Sequence, residues 1–341
     1  MTAPESTGTA RAVRTDIQGL RAIAVSLVLV YHLSPKSLTG GFAGVDVFFV
    51  ISGFLITLHL LENIPRRPRD LATFWSRRVR RLLPASLLVL ASTLIASRLL
   101  SPETQWENTA RQVRASALYF VNWLLSNDAV DYLAADNAPS PVQHFWSLSV
   151  EEQFYFVWPV LILLLAAIAR LLRRKPLPFV LGGLVVVVAA SLIYSVHITG
   201  TNPQAAYFVT PARVWELGVG ALLATVKLLR PGRMRHEFAT PLALLGLAAI
   251  GYTAATYTGS TPFPGWQAAV PVLGTAAVIA AQPEHGPGSP GPILALRPIQ
   301  FLGDISYSVY LWHWPLVVFV PQLTDRPLSW TDRGSILLAS L

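Results

Sequence analysis

Arg21 and His32 stand eleven residues apart in the apolar run "DIQGLRAIAVSLVLVYHL". At about 100° per residue, eleven steps are three helical turns plus roughly 20°, so both side chains project from one face, about 16 Å apart along the axis. They are expected to look into the same cavity. Ionisable groups in a membrane segment usually face the bundle interior or water and mark a functional site. A neutral imidazole at His32 suits a general base that takes the proton of a hydroxyl. A guanidinium at Arg21 suits orienting an anionic donor or stabilising charge on a carbonyl oxygen. The structural alternative is an arginine reaching lipid phosphates and an interfacial histidine.

Four more apolar runs carry polar residues. Asp46 in "GGFAGVDVFFVISGFLI" falls on the side of the membrane where His32 lies, and an acid beside an imidazole fixes its tautomer; favourable placement at a helix N-terminus also accounts for it. "HFWSLSVEEQFYFVWP" opens a span with Ser147 or Ser149 as the expected N-cap and Glu151 and Glu152 in the first turn. Capping leaves the polar run Glu151, Gln153, Tyr155 unexplained. Arg213 and Glu216, three apart in "TPARVWELGVGALLA", are spaced to pair with each other. In "LGDISYSVYLWHWPL", Tyr307, Tyr310 and His313 recur every three residues along one face, beside Ser306.

The elements that must position these residues are membrane helices. The 341-residue chain is 53% hydrophobic and 13% charged, against the roughly 25% charged residues of ordinary globular domains. Continuous apolar runs predict an all-α polytopic bundle of about ten spans, near 17–34, 43–61, 82–100, 148–170, 178–197, 207–226, 239–257, 265–281 and 299–320, with a last, apparently truncated one from 334. Residues 111–126 are apolar but interrupted by Asn122, and are expected to form an in-plane or re-entrant element within a long outer loop, residues 101–147, without crossing. Residues 1–15 are expected to be a disordered cytoplasmic segment and 16–341 the membrane domain. The absence of cysteine excludes disulfides and thiolate chemistry.

With the N-terminus inside, 18 Lys and Arg fall on the inner side and six on the outer, which obeys the positive-inside rule. The net charge of +8 is therefore topology, and nucleic-acid binding is not expected. Seven of the inner arginines lie between Arg66 and Arg81, ahead of the third span. Arginine forks suit phosphate oxygens, which makes Arg77, Arg78, Arg80 and Arg81 candidate phosphate ligands beside their topological role.

The Arg-x10-His run of the first span, followed in order by "GGFAGVDVFFVISGFLI", "FWSRRVRRLLPA", "FWSLSVEEQFYFVWP", "RVWELGVGALLA" and "LGDISYSVYLWHWPL", resembles the acyltransferase-3 family of bacterial integral-membrane acyltransferases. The resemblance implies transfer of an acetyl or other short acyl group from cytoplasmic acyl-CoA, acetyl-CoA foremost, to a hydroxyl of an extracytoplasmic glycan, glycolipid or related acceptor. It implies a bacterial plasma-membrane location with the N-terminus cytoplasmic. Together with the residue chemistry it assigns His32, Arg21, Asp46 and Glu151 to catalysis, and Arg77, Arg78, Arg81, Glu152, Tyr155, Arg213, Glu216, Tyr310 and His313 to substrate binding. No metal and no permanently bound cofactor is expected. One branch of the family adds a C-terminal SGNH-type domain, which this sequence does not contain. Direct transfer with His32 as base and a covalent acyl-histidine both remain open. A secondary transporter or a non-catalytic scaffold are the rival classes, and consumption of acyl-CoA separates them from an acyltransferase.

Overall fold

The computed structural model describes residues 14–62, 68–130, 139–283 and 288–341. Within them the chain is helical, in the order α1 (Thr15–Leu33), α2 (Gly44–Glu62), α3 (Pro68–Leu100), α4 (Glu103–Ala117), α5 (Val121–Val130), α6 (Phe145–Leu171), α7 (Pro176–Thr201), α8 (Pro203–Phe208), α9 (Thr210–Leu229), α10 (His236–Thr256), α11 (Ala269–Ala281), α12 (Gly291–Leu294), α13 (Arg297–Thr324) and α14 (Trp330–Ser340). Of the expected disordered segment, residues 1–13 lie outside the described residues.

Six helices, α1, α2, α3, α6, α7 and α10, are long and apolar enough to cross a membrane. Large apolar side chains such as Leu99, Leu171 and Ile193 are more than two-thirds exposed on the perimeter, as a lipid-facing surface requires. The other expected spans are helical but depart from the simple pattern. α9 carries Arg213, Glu216 and Lys227, and α11 is only 13 residues long.

α1 packs between α2 and α13, α2 lies on α9, and α9 lies on α7. The α2–α9 crossing is close because both helices present glycine there. A Cβ on Gly53 would sit 1.8 Å from the Leu217 carbonyl oxygen, and one on Gly220 would sit 2.0 Å from that of Val50. Small residues let backbones meet in this way where lipid offers no hydrophobic drive to associate.

Two expectations about local structure are revised. The arginines from Arg69 to Arg81 lie on a helix continuous with the third span, since α3 runs 33 residues from Pro68 and its length of about 50 Å exceeds a hydrocarbon core of about 30 Å. α6 begins at Phe145, so neither Ser147 nor Ser149 caps it: Ser149 bonds back to the Phe145 carbonyl, and Glu151 and Glu152 lie in the second turn. Residues 111–126 fall in two short helices with a break between them. α4 ends at Ala117, Tyr119 adopts φ +52°, and α5 starts at Val121.

Candidate active site

α1, α2, α3, α6 and α13 together line a cavity of about 400 Å3. Arg21, in the second turn of α1, donates to Gln18 at 2.9 Å, and the Gln18 amide donates to Asp304 of α13. From α3, the Arg78 guanidinium lies over the Tyr155 ring, 3.1 Å from its centroid. Its Nε is 3.0 Å from Glu152 and its Nη2 is 3.7 Å from Glu151. Glu151 also accepts from the hydroxyls of Ser52 and Tyr155. Tyr119, at the α4–α5 break, and Tyr307 both reach Ser86, at 3.3 and 2.6 Å.

The charges in this cavity are unevenly matched. Arg78 is held by two carboxylates, whereas Arg21 and Arg81 line the same space without an ion-pair partner among the described residues. Glu151, Glu152 and Asp304 share the lining with the three arginines, and the two guanidinium groups outside a direct ion pair make it a place for an anionic or strongly polarised group. Arg77 is exposed and stands outside the lining, so the expected trio of arginines is reduced here to Arg78 and Arg81, with Arg78 already engaged.

One end of the cavity is formed by Tyr310 and Ser147, whose hydroxyl oxygens are 2.6 Å apart and both within reach of the His144 carbonyl, at 3.1 and 3.3 Å. Behind this pair lie three histidines. His32 Nδ1 is 3.0 Å from His313 Nε2, with the rings stacked 13° from parallel. Trp314 packs against His32, and His144 packs against both Tyr310 and His313. Arg21 therefore lines the cavity and His32 does not. The expectation that they face one continuous space is corrected: they share a helix face, but Tyr310 and Ser147 stand between the two levels.

Asp46 is not the hydrogen-bonding partner of His32 that was expected. Its Oδ1 lies 3.4 Å from Arg213 Nη1, which is 2.7 Å from Glu216 Oε1. The Arg213–Glu216 pairing read from the sequence is present, and Asp46 joins it to form a triad of one base and two acids. All three are buried, and Arg213 is ringed by Phe49, Trp146, Tyr207 and Phe263, each 5.4 to 5.6 Å from the guanidinium carbon. This cluster ties α2 to α9 and lies outside the cavity lining.

Sequence reasoning missed Ser52, Asp304, Tyr119 and His144. The first three are common polar residues whose partners lie on distant elements. His144 directly precedes α6 at the outer end of a motif that was read, and an imidazole beside an apolar span was a usable signal.

The profile of a family described as an acyltransferase domain matches residues 14–341. The chain is 34% identical over 327 residues to a putative peptidoglycan O-acetyltransferase, YrhL, of Bacillus subtilis, covering 92% of this chain and 50% of that protein. It is 33% identical over 333 residues to the peptidoglycan O-acetyltransferase OatA of Listeria monocytogenes, covering 92% and 51%. It is 34% identical over 314 residues to the O-acetyltransferase OatA of Staphylococcus aureus, covering 89% and 50%. The chain thus spans about half the length of these curated relatives. No solved structure matches it.

Proposed function

This chain belongs to the acyltransferase-3 family, and on that premise we propose that it is the membrane part of a cell-envelope O-acetyltransferase, moving acetyl groups from acyl-CoA to a hydroxyl of peptidoglycan. Its basic face is read as cytoplasmic, from the asymmetry of Lys and Arg, in a bacterial plasma membrane. Acyl-CoA enters from that face, its anionic part held near Arg21 and Arg81 and its thioester directed toward Tyr310 and Ser147. The acceptor approaches from the opposite face, where His32 lies. A glycolipid hydroxyl is an acceptor of the same chemistry.

His32 takes the proton of the acceptor hydroxyl as its oxygen attacks the thioester carbonyl. Arg21, about 16 Å from His32 along the same helix face, orients the donor. The carbon–sulfur bond then breaks, the proton passes from His32 to the departing thiolate, and the products are an O-acetyl ester and free coenzyme A. Tyr310 and Ser147 stand on the path between donor and base, so their hydroxyl pair has to part during turnover.

The observation that carries this reading is the order of the layers: guanidinium groups in a cavity without a direct ion pair among the described residues, a hydrogen-bonded pair of hydroxyls, and a histidine pair behind them. The test uses the full-length protein in proteoliposomes with labelled acetyl-CoA and a glycan acceptor. His32→Ala should insert and fold yet lose transfer. Turnover near the wild-type rate in that variant would remove His32 as the base, and a wild-type protein that neither consumes acetyl-CoA nor releases coenzyme A would remove the acyltransferase reading.

A further inference from the structure

The protons of the histidine cluster can be placed from its partners. His313 Nδ1 lies 3.2 Å from the Val309 carbonyl oxygen, and a carbonyl only accepts, so Nδ1 carries a hydrogen. His313 is fully buried, among rings and the backbone of its own helix, and a second proton would place a charge in that apolar setting with no carboxylate paired to it among the described residues. Its Nε2 is then a lone pair. His32 Nδ1, 3.0 Å from that lone pair, must be the donor. The proton of neutral His32 is thereby confined to Nδ1, and its Nε2 is left as the basic nitrogen.

We propose that His313 is a positioning residue that holds His32 in the tautomer whose Nε2 lone pair faces the acceptor hydroxyl. The role is the one a buried carboxylate often fills for a catalytic histidine, taken here by a second imidazole. The two rings stand nearly parallel on neighbouring helices, α1 and α13, so the hydrogen bond also fixes the rotation of His32. His144 fits the same pattern. Its Nε2 donates to the Leu311 carbonyl at 3.1 Å, so its proton too is committed to the backbone. The cluster therefore holds no free N–H: His313 Nε2 accepts from His32, and His144 Nδ1 is a buried lone pair. This inference rests on the reading of His32 as the base.

The test separates a polar structural role from tautomer control. His313→Asn keeps an amide near the position of Nδ1, able to donate to Val309, but places nothing at the position of Nε2. His313→Gln places an amide oxygen near the position of Nε2, where it accepts from His32. In the full-length protein, H313N should lose about 10- to 100-fold in kcat with KM for acetyl-CoA unchanged, the usual cost of losing such an orienting partner. H313Q should keep most of its turnover. Equal losses in the two variants, or no loss in H313N, would overturn the proposal. A 15N spectrum of histidine-labelled wild-type protein, with the His32 signals identified by their disappearance in H32Q, should show Nδ1 protonated and Nε2 free. That measurement stands even if both His313 variants misfold, and a proton found on His32 Nε2 overturns the placement. An active H32A protein overturns the base reading and with it the role of His313, whereas the spectrum reports the proton placement separately.

Discussion

Replacing Arg213 with methionine should be among the most damaging single changes in the bundle, and the magnitude follows from the count of charges. Arg213 Nη1 is 2.7 Å from Glu216 and 3.4 Å from Asp46, and the three side chains are at most 1% exposed. One guanidinium faces two carboxylates, so its removal leaves both acids in an apolar, aromatic shell with no cation. Breaking a buried pair from one side costs about 3–5 kcal/mol, and a second orphaned acid beside the first puts the expectation at the upper end of that range. Asp46→Asn or Glu216→Gln should behave differently. Either leaves a one-to-one pair with Arg213, and the loss should stay within about 1 kcal/mol, the worth of one ordinary hydrogen bond. The assay is unfolding of the detergent-purified full chain followed by tryptophan fluorescence, with Trp146 in the shell as a local reporter. If D46N or E216Q destabilises as much as R213M, the charge-count argument is wrong and each acid has a role of its own.

Three other expectations concern the cavity and its frame. Arg81→Lys should weaken acetyl-CoA affinity by about 1–3 kcal/mol, because lysine cannot bind a phosphate or carboxylate bidentately, while Arg77→Lys should leave it unchanged; titration of both purified variants decides the matter. Gly53→Ala should destabilise by about 1–3 kcal/mol, since the new methyl would lie 1.8 Å from a backbone oxygen and force α2 and α9 apart; a variant with wild-type unfolding would refute that close contact. Tyr155→Phe removes one of the two hydroxyl donors to Glu151 and leaves the ring under Arg78, so it should lower turnover far less than loss of His32, as measured by release of coenzyme A.

The helices were legible in the sequence because apolar runs and their polar punctuation are local signals. Arg21 and His32 do share a face, and Arg213 does pair with Glu216, since helical spacing alone decides both. Pairings between helices distant in the chain were not legible. Nothing local says that His32 meets His313, 281 positions later, rather than Asp46, 14 positions later, because that choice is made by how α1 lies against α13. The arginine cluster was misread for a related reason. A run of arginines looks like a loop in composition, but four turns of helix carry the stretch inward and bring Arg78 across Tyr155 while leaving Arg77 outside. The start of α6 was placed too late because serine and glutamate imitate a cap, whereas the backbone begins its helix at Phe145 and uses Ser147 to meet Tyr310 instead.

The closed contact between Tyr310 and Ser147 bears on more than the reaction path. A bacterial plasma membrane stores energy as a voltage, worth about 2.3 kcal/mol per elementary charge at 100 mV, and any continuous column of water through a protein would drain it. On the proposed reading, with donor and acceptor in different compartments, the enzyme would meet that hazard at every turnover. Two hydroxyls 2.6 Å apart leave no room for a water molecule between them. On that reading the contact that holds back the acetyl group would also hold back ions, and a variant with small apolar residues at both positions is the place to look for proton leakage.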